Sequence, residues 1–231
     1  MSNQKEYRQH TFVRPPGATE ILLVRHGESR AAVPGEPFPL VAGQGDPELA
    51  PNGRAQAEMI AERLVDHDIA AIYVTNLCRT VETAAPLCRL KGIEPQVEAD
   101  LREVHLGEWE GGVFRIKAHE NDPLIQQMRL EERWDVIPGA ESNAVLLERI
   151  LGAMGRIVAR HPDQLVVVVS HGGVIAHLLA HATGSRPFAF SGPDNASISH
   201  IVAVNGQMVL RRFNDTSHLS TAMGSRVDLP T

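Results

Sequence analysis

Cysteine, aromatic residues and long apolar runs are all scarce in this chain: two cysteines stand among 231 residues, and aromatics make up 4%. Two cysteines cannot build the disulfide framework of a small secreted domain. If Cys78 and Cys88 share a helix, a rise of about 1.5 Å per residue sets them some 15 Å apart, too far for a bridge. No apolar run reaches the roughly 18 residues that a membrane helix needs. Met1 to Gly17 is polar and lacks the apolar core of a secretory signal. These absences lead to the expectation of a cytoplasmic protein with no membrane association. Positive charge is not in excess either, since the formal net charge is −6. That balance argues against a general role on nucleic acid or an anionic membrane surface, so any positive potential must be local to a pocket.

Linkers, charge blocks and internal repeats are also missing, so the chain reads as one domain over residues 18–215. A flexible N-terminal arm, 1–17, precedes it and a C-terminal tail, 216–231, follows. Strands are expected at Glu20 to Val24, Ala70 to Thr75, Gln96 to Ala99, Leu165 to Val169, Ile198 to Val204 and Met208 to Phe213. Asn205 and Gly206 supply a hairpin turn between the last two. Helices are expected at Asn52 to His67, Arg79 to Leu90, Val113 to Trp134, Ser142 to Arg160 and Val174 to Ala182. The alternation predicts an α/β fold, a three-layer α/β/α sandwich on a mostly parallel central sheet.

Four segments carry chemistry. In the first, the apolar strand Glu20 to Val24 delivers Arg25, His26, Gly27, Glu28 and Ser29 into the crevice where open α/β sheets place ligands. A guanidinium such as Arg25 grips phosphate oxygens with a planar fork of donors, and a neutral imidazole such as His26 offers a lone pair to phosphorus. Ser29 can donate to the same phosphate or cap a turn. In the second, Arg79 opens a helix, an unfavourable place for a cation but a useful one for an anion site. The third, Leu101 to Gly112, packs Glu103, Glu108 and Glu110 with Trp109 and glycines, and one of its carboxyls can serve as a general acid. The fourth repeats the first, because Leu165 to Val169 ends in Ser170, His171, Gly172 and Gly173.

In that order the four segments resemble the histidine phosphatase superfamily, the phosphoglycerate mutase-like family, over roughly Glu20 to Phe213. The resemblance implies that His26 is transiently phosphorylated and that Arg25, Arg79 and His171 complete a cationic phosphate pocket. It assigns the acid to Glu103, which residue type alone does not separate from Glu108 and Glu110. Two guanidiniums and a second imidazole supply the charge compensation that phosphoryl transfer asks for, so no metal and no cofactor is required. Many family members carry an Asn soon after the Ser29 position; here Arg30 to Pro34 lacks it, and Gln44 is the candidate replacement. Glu28 reads as a group that orients Arg25 or nearby backbone. In this family a region after the acid caps the pocket. The insertion around 112–138, with Arg115, Lys117, His119, Arg129 and Arg133, is therefore expected to tune specificity or to present a solvated charged face.

The expected activity is hydrolysis of a small phosphorylated metabolite. A mutase that returns the phosphate to the substrate is the alternative, and a noncatalytic phosphate-binding protein is a third reading. Glycolytic mutases of the family carry a longer insertion between the acid and the second histidine, which favours the phosphatase. His177 and His181 have the i, i+4 spacing of metal ligands, but the stretch between them lacks the Glu of a zinc protease, so a packed or partly exposed helix face is the expectation. The partner is a small phosphorylated substrate, with no nucleic acid; a homodimer is left open, because nothing in the sequence reads on oligomeric state.

Overall fold

A computed structural model describes residue 7 and residues 9–219. Thr19–Arg25 forms β1, and a small hairpin of Leu40–Val41 (β2) and Gln44–Gly45 (β3) follows. Then come α1 (Pro51–Leu64), β4 (Ile69–Val74), α2 (Cys78–Lys91) and β5 (Gln96–Val97). The middle of the chain holds α3 (Val113–His119), α4 (Pro123–Glu131) and α5 (Asn143–Arg160). It closes with β6 (Leu165–Ser170), α6 (Gly172–Thr183), β7 (Ile198–Val204) and β8 (Gln207–Asp215).

The six-stranded sheet runs β5-β4-β6-β1-β7-β8. Its β5, β4, β6 and β1 are parallel, while β7 and β8 form the antiparallel edge. Strand periodicity sorts the core into two faces. Ile21, Leu23, Val166 and Val168 pack beneath α5 and α6. Leu22, Val24, Val167 and Val169 pack on the opposite face against apolar residues of α1 and α2. The α/β/α sandwich on a mostly parallel sheet is therefore as expected. The turn at Asn205 and Gly206 has φ of 51° and 75°, which suits a type I′ hairpin. Cys78 and Cys88 share α2 and are both free thiols.

Three local readings change. The expected single helix from Val113 to Trp134 is two helices. Asn121 turns left-handed at φ 55°, the Asp122 carboxylate caps the Leu124 N–H at 3.0 Å, and Pro123 occupies the first turn of α4. A proline that lacks an N–H and restricts the residue before it starts a helix more readily than it continues one. The strand expected at Gln96 to Ala99 stops at Val97, because Glu98 caps a short 3-10 turn over Ala99–Leu101. The hairpin of β2 and β3, two residues per strand, was too short to leave a hydrophobic pattern. α3, α4 and the 3-10 turn Trp134–Val136 form a cap with its own small core of Trp109, Ile125, Met128 and Ile137.

Of the expected N-terminal arm, residues 1–6 and 8 lie outside the described residues. Farther along it, Arg211 stacks 4.0 Å from the Phe12 ring, Arg14 pairs with Glu20 at 3.5 Å, and the Gly17 N–H donates to Asp163 at 2.6 Å. The expected tail from 220 onward also lies outside the described residues. Among the described residues, no helix is long and apolar enough to cross a membrane.

Candidate active site

The parallel pairing of β1 with β6 ends on the register pair Arg25 and Ser170. Two strands that finish level release their next residues side by side, so His26 and His171 leave the sheet together, with ring centroids 5.2 Å apart. Both are buried. Gly27 is required at the exit, because a Cβ there would lie 2.5 Å from the Gly53 carbonyl oxygen in the first turn of α1. Its own N–H donates to the Thr83 hydroxyl at 3.0 Å, tying the turn to α2.

The His26 ring has a defined orientation. Nδ1 lies 2.7 Å from the Gly27 carbonyl, which only accepts, so Nδ1 carries the proton and Nε2 keeps its lone pair. Arg79 Nε donates toward that Nε2 at 3.3 Å. Burial pushes the His26 pKa well below its ordinary value of 6.5, and the charges of Arg79 and Arg25 push it further. His171 is shifted the same way by burial, Arg79, His26 and Arg25. Its Nε2 meets the Thr75 hydroxyl at 3.1 Å, and its Nδ1 is buried without a hydrogen-bond partner.

Arg25 donates through Nη1 to the Pro193 carbonyl, and its Nε is likewise buried and unpartnered. Arg79 donates to the Gly45 carbonyl at 3.0 Å, and Asp46 stands 3.7 Å from the same Nη1. Ser29 belongs to no helix cap; its hydroxyl accepts from Arg115 Nη2 at 2.7 Å, while Arg115 Nη1 donates to the Arg30 carbonyl at 2.8 Å. Arg115 is thus a third guanidinium at this end, carried in by the cap. Burial, with Arg79 and Arg25 nearby, brings its pKa down to about 10.

Of the three candidate acids, two line the cavity. Glu108 is exposed and does not line the cavity. Glu110 lines it but accepts from Leu106 N at 2.8 Å and from Gly45 N at 2.7 Å, one bond to each oxygen, so its carboxylate holds two loops together. Glu103 lines it too and likewise accepts one bond on each oxygen, from Val104 N at 2.9 Å and from Gly173 N, in the first turn of α6, at 3.3 Å, but its charge acts on both Arg25 and Arg79, and on Arg79 more strongly than that of Glu110. A Cβ on Gly173 would lie 2.7 Å from both Glu103 Oε1 and Val104 Cγ2, so glycine there leaves the Glu103 carboxyl in its place.

One sequence reading is corrected: Glu28 does not orient Arg25; its carboxylate accepts from Asn52 Nδ2 at 2.6 Å. Gln44 lines the cavity and gives one of its two amide N–H groups to the Glu103 carbonyl at 2.6 Å, while its Oε1 is buried without a partner. In the cap, Arg115 and Arg129 line the cavity, whereas Lys117 pairs with Asp122 and Arg133 with Glu131 and Asp135 on the outside. His177 is packed with Trp134 and Phe188, its Nδ1 2.9 Å from the Gly173 carbonyl, and His181 is exposed. No cluster of three metal-ligating side chains occurs among the described residues.

Arg149 was missed, since in sequence it looks like one more exposed charge on an amphipathic helix. It reaches back from α5 to the carbonyls of Asp100 at 2.6 Å, Arg102 at 2.8 Å and Glu103 at 2.9 Å. Glu141 holds it in turn, at 2.6 Å and 2.7 Å. Asn195, also unanticipated, donates to the His26 carbonyl at 3.1 Å.

The assembled cavity, about 360 Å³, is lined by His26 with its lone-pair nitrogen, by the three guanidiniums and by the Glu103 carboxyl group, while His171 is buried beside His26, 5.2 Å between ring centroids, and does not line it. Such a set can bind a phosphate, attack it and exchange a proton with its ester oxygen. Comparison with known proteins agrees. The family model of the histidine phosphatase superfamily (branch 1) matches residues 21–216. Phosphoglycerate mutase-like protein 4 of Arabidopsis thaliana is 35% identical over 207 residues, covering 87% of this chain and 86% of its own. Phosphoserine phosphatase 1 of Hydrogenobacter thermophilus is 32% identical over 204 residues, covering 87% and 94%. The solved structure of mycobacterial glucosyl-3-phosphoglycerate phosphatase superposes with a TM-score of 0.72 at 30% identity, covering 86% of this chain and all (100%) of that one.

Proposed function

This chain belongs to the histidine phosphatase superfamily, branch 1, and on that premise we propose that it hydrolyses small phosphomonoesters through a phosphohistidine on His26. It is a phosphatase, in keeping with the phosphoserine and glucosyl-3-phosphoglycerate phosphatases among its relatives. The observation that carries the mechanism is the His26 ring: Nδ1 is committed to Gly27, so the lone pair sits on Nε2, where it accepts a long 3.3 Å bond from Arg79 that an incoming phosphoryl group would displace.

In the first step His26 Nε2 bonds to phosphorus as the bond from phosphorus to the ester oxygen breaks. Arg25, Arg79, His171 and Ser29 bind the phosphoryl oxygens, and Arg115 steadies Ser29. Glu103, in its acid form, gives its proton to the departing alcohol oxygen. In the second step water attacks phospho-His26, Glu103 takes the water's proton, and phosphate leaves with the lone pair restored to Nε2. Every charge that develops on oxygen is met by the chain's own groups, so the reading is metal-independent and uses no cofactor. One catalytic domain over 18–215, with its cap around 112–138, and a reducing cytoplasmic setting for the two free thiols belong to the same proposal.

The test follows 3-phosphoglycerate and a panel of phosphomonoesters by phosphorus NMR, with and without 2,3-bisphosphoglycerate. Free phosphate from a good substrate without bisphosphoglycerate is the expected result. Fast conversion to 2-phosphoglycerate with negligible free phosphate would make the enzyme a mutase instead.

A further inference from the structure

Away from the strand ends the cavity changes character. Trp109, Phe114, Trp134 and Phe188 form a continuous aromatic row along it, with successive ring centroids 6.3, 5.9 and 5.1 Å apart. Leu106 and Met128 extend the apolar surface. The two other carboxylates that reach the cavity are already engaged, Glu110 by two backbone N–H groups and Glu28 by Asn52. The row itself presents no carboxylate to an amino-acid ammonium. Sugar hydroxyls laid along the row would meet mostly ring faces and methyl groups, with the unpartnered Trp134 Nε1 as a donor, and hydroxyls left without a partner would cost binding.

We infer that the alcohol half of the preferred substrate is apolar and flat, so that the natural class is an aryl or arylalkyl phosphate rather than a phosphorylated sugar, amino acid or hydroxy acid. The inference rests on the phosphatase reading above. An aromatic leaving group laid along the row removes apolar surface from water and gains offset ring contacts, and both favour it over a small polar alcohol. Arg129 also borders the cavity, so a carboxylated substrate must be among the competitors.

The experiment compares kcat/KM for 2-(2-naphthyl)ethyl phosphate with that for O-phosphoserine, glycerol 3-phosphate, glucose 6-phosphate and 3-phosphoglycerate. All five have aliphatic alcohol leaving groups, so the ranking reads recognition more than leaving-group acidity. The naphthyl ester is expected to lead by about a hundredfold. Phe188→Ser should lower its kcat/KM at least tenfold while changing glycerol 3-phosphate less than threefold; Met128→Thr, on a different element, gives the same test should the first variant fold poorly. A polar ester turned over within tenfold of the naphthyl ester, or an equal loss on both esters in a folded variant, would overturn the inference and leave the phosphatase reading standing. No phosphate from any ester, p-nitrophenyl phosphate included, would overturn that reading and the inference with it.

Discussion

His26 and His171 stand edge to face, 5.2 Å between ring centroids, and both rings are buried within reach of the charges of Arg25 and Arg79. Protonating either ring puts a cation into a buried site that already holds several, so both pKa values lie well below 6.5. The nucleophile is then ready at neutral pH with no base to activate it. In the unliganded enzyme, an NMR titration of the His26 ring is expected to show the free base persisting below pH 6.5. A midpoint at or above 6.5 would contradict this.

The same shifts make a stability prediction. The unfolded chain takes up protons on these histidines near pH 6.5 while the folded chain does not, so the unfolded state binds more protons and stability falls as pH drops below that value. Each buried ring can cost about 1.4 kcal/mol per pH unit until its folded pKa is reached. Urea midpoints at pH 7.5 and 5.5 measure the loss, and His171→Asn should make it smaller.

Glu103→Gln keeps the shape of the carboxyl and removes its proton transfer. Alkyl phosphates should slow by about a hundredfold or more, because the departing alkoxide needs a proton, whereas p-nitrophenyl phosphate should slow far less. Kinetics with the two esters decide it; equal losses would move the acid role elsewhere.

Arg149 does not line the cavity and holds the main chain of the loop that presents Glu103. Arg149→Met should lower kcat for alkyl phosphates roughly tenfold with little change in KM, and the effect should shrink for p-nitrophenyl phosphate as it does in Glu103→Gln. A matching loss on both esters would mark general structural damage.

Arg115→Met should act differently, since it removes the cap's grip on Ser29 and Arg30. KM for phosphoesters and the inhibition constant for inorganic phosphate should both rise roughly tenfold, with kcat less affected. An unchanged phosphate inhibition constant would show that the cap arginine plays no part in binding the anion.

The strand ends were legible because β1 and β6 are continuous apolar runs that each stop at a His beside glycine, a one-dimensional pattern. Their adjacency was not, since register between strands so far apart in sequence is a property of the sheet. The break in the cap had a visible signal in Asn121, Asp122 and Pro123, overridden by the apolar and charged spacing on either side. Arg149 had none: a cation that bonds backbone carbonyls far away in sequence looks like any other helical arginine. Hydrogen bonds do not separate Glu103 from Glu110, since each accepts a backbone N–H on each oxygen; the stronger pull of the Glu103 charge on Arg25 and Arg79, a property of the folded site, is what distinguishes it.

The central claim is a covalent intermediate on one nitrogen. His26→Ala should lose turnover by several orders of magnitude while its circular dichroism stays unchanged. The most direct measurement mixes enzyme with excess p-nitrophenyl phosphate, quenches in alkali within milliseconds, and locates phosphorylated peptides by mass spectrometry. The account predicts an acid-labile phosphoryl group on His26 that forms in a burst, decays when substrate runs out, and is missing from the His26→Ala protein. Steady turnover with no phosphoryl group on His26 at any time, together with inversion of configuration at a chiral phosphorus, would contradict it.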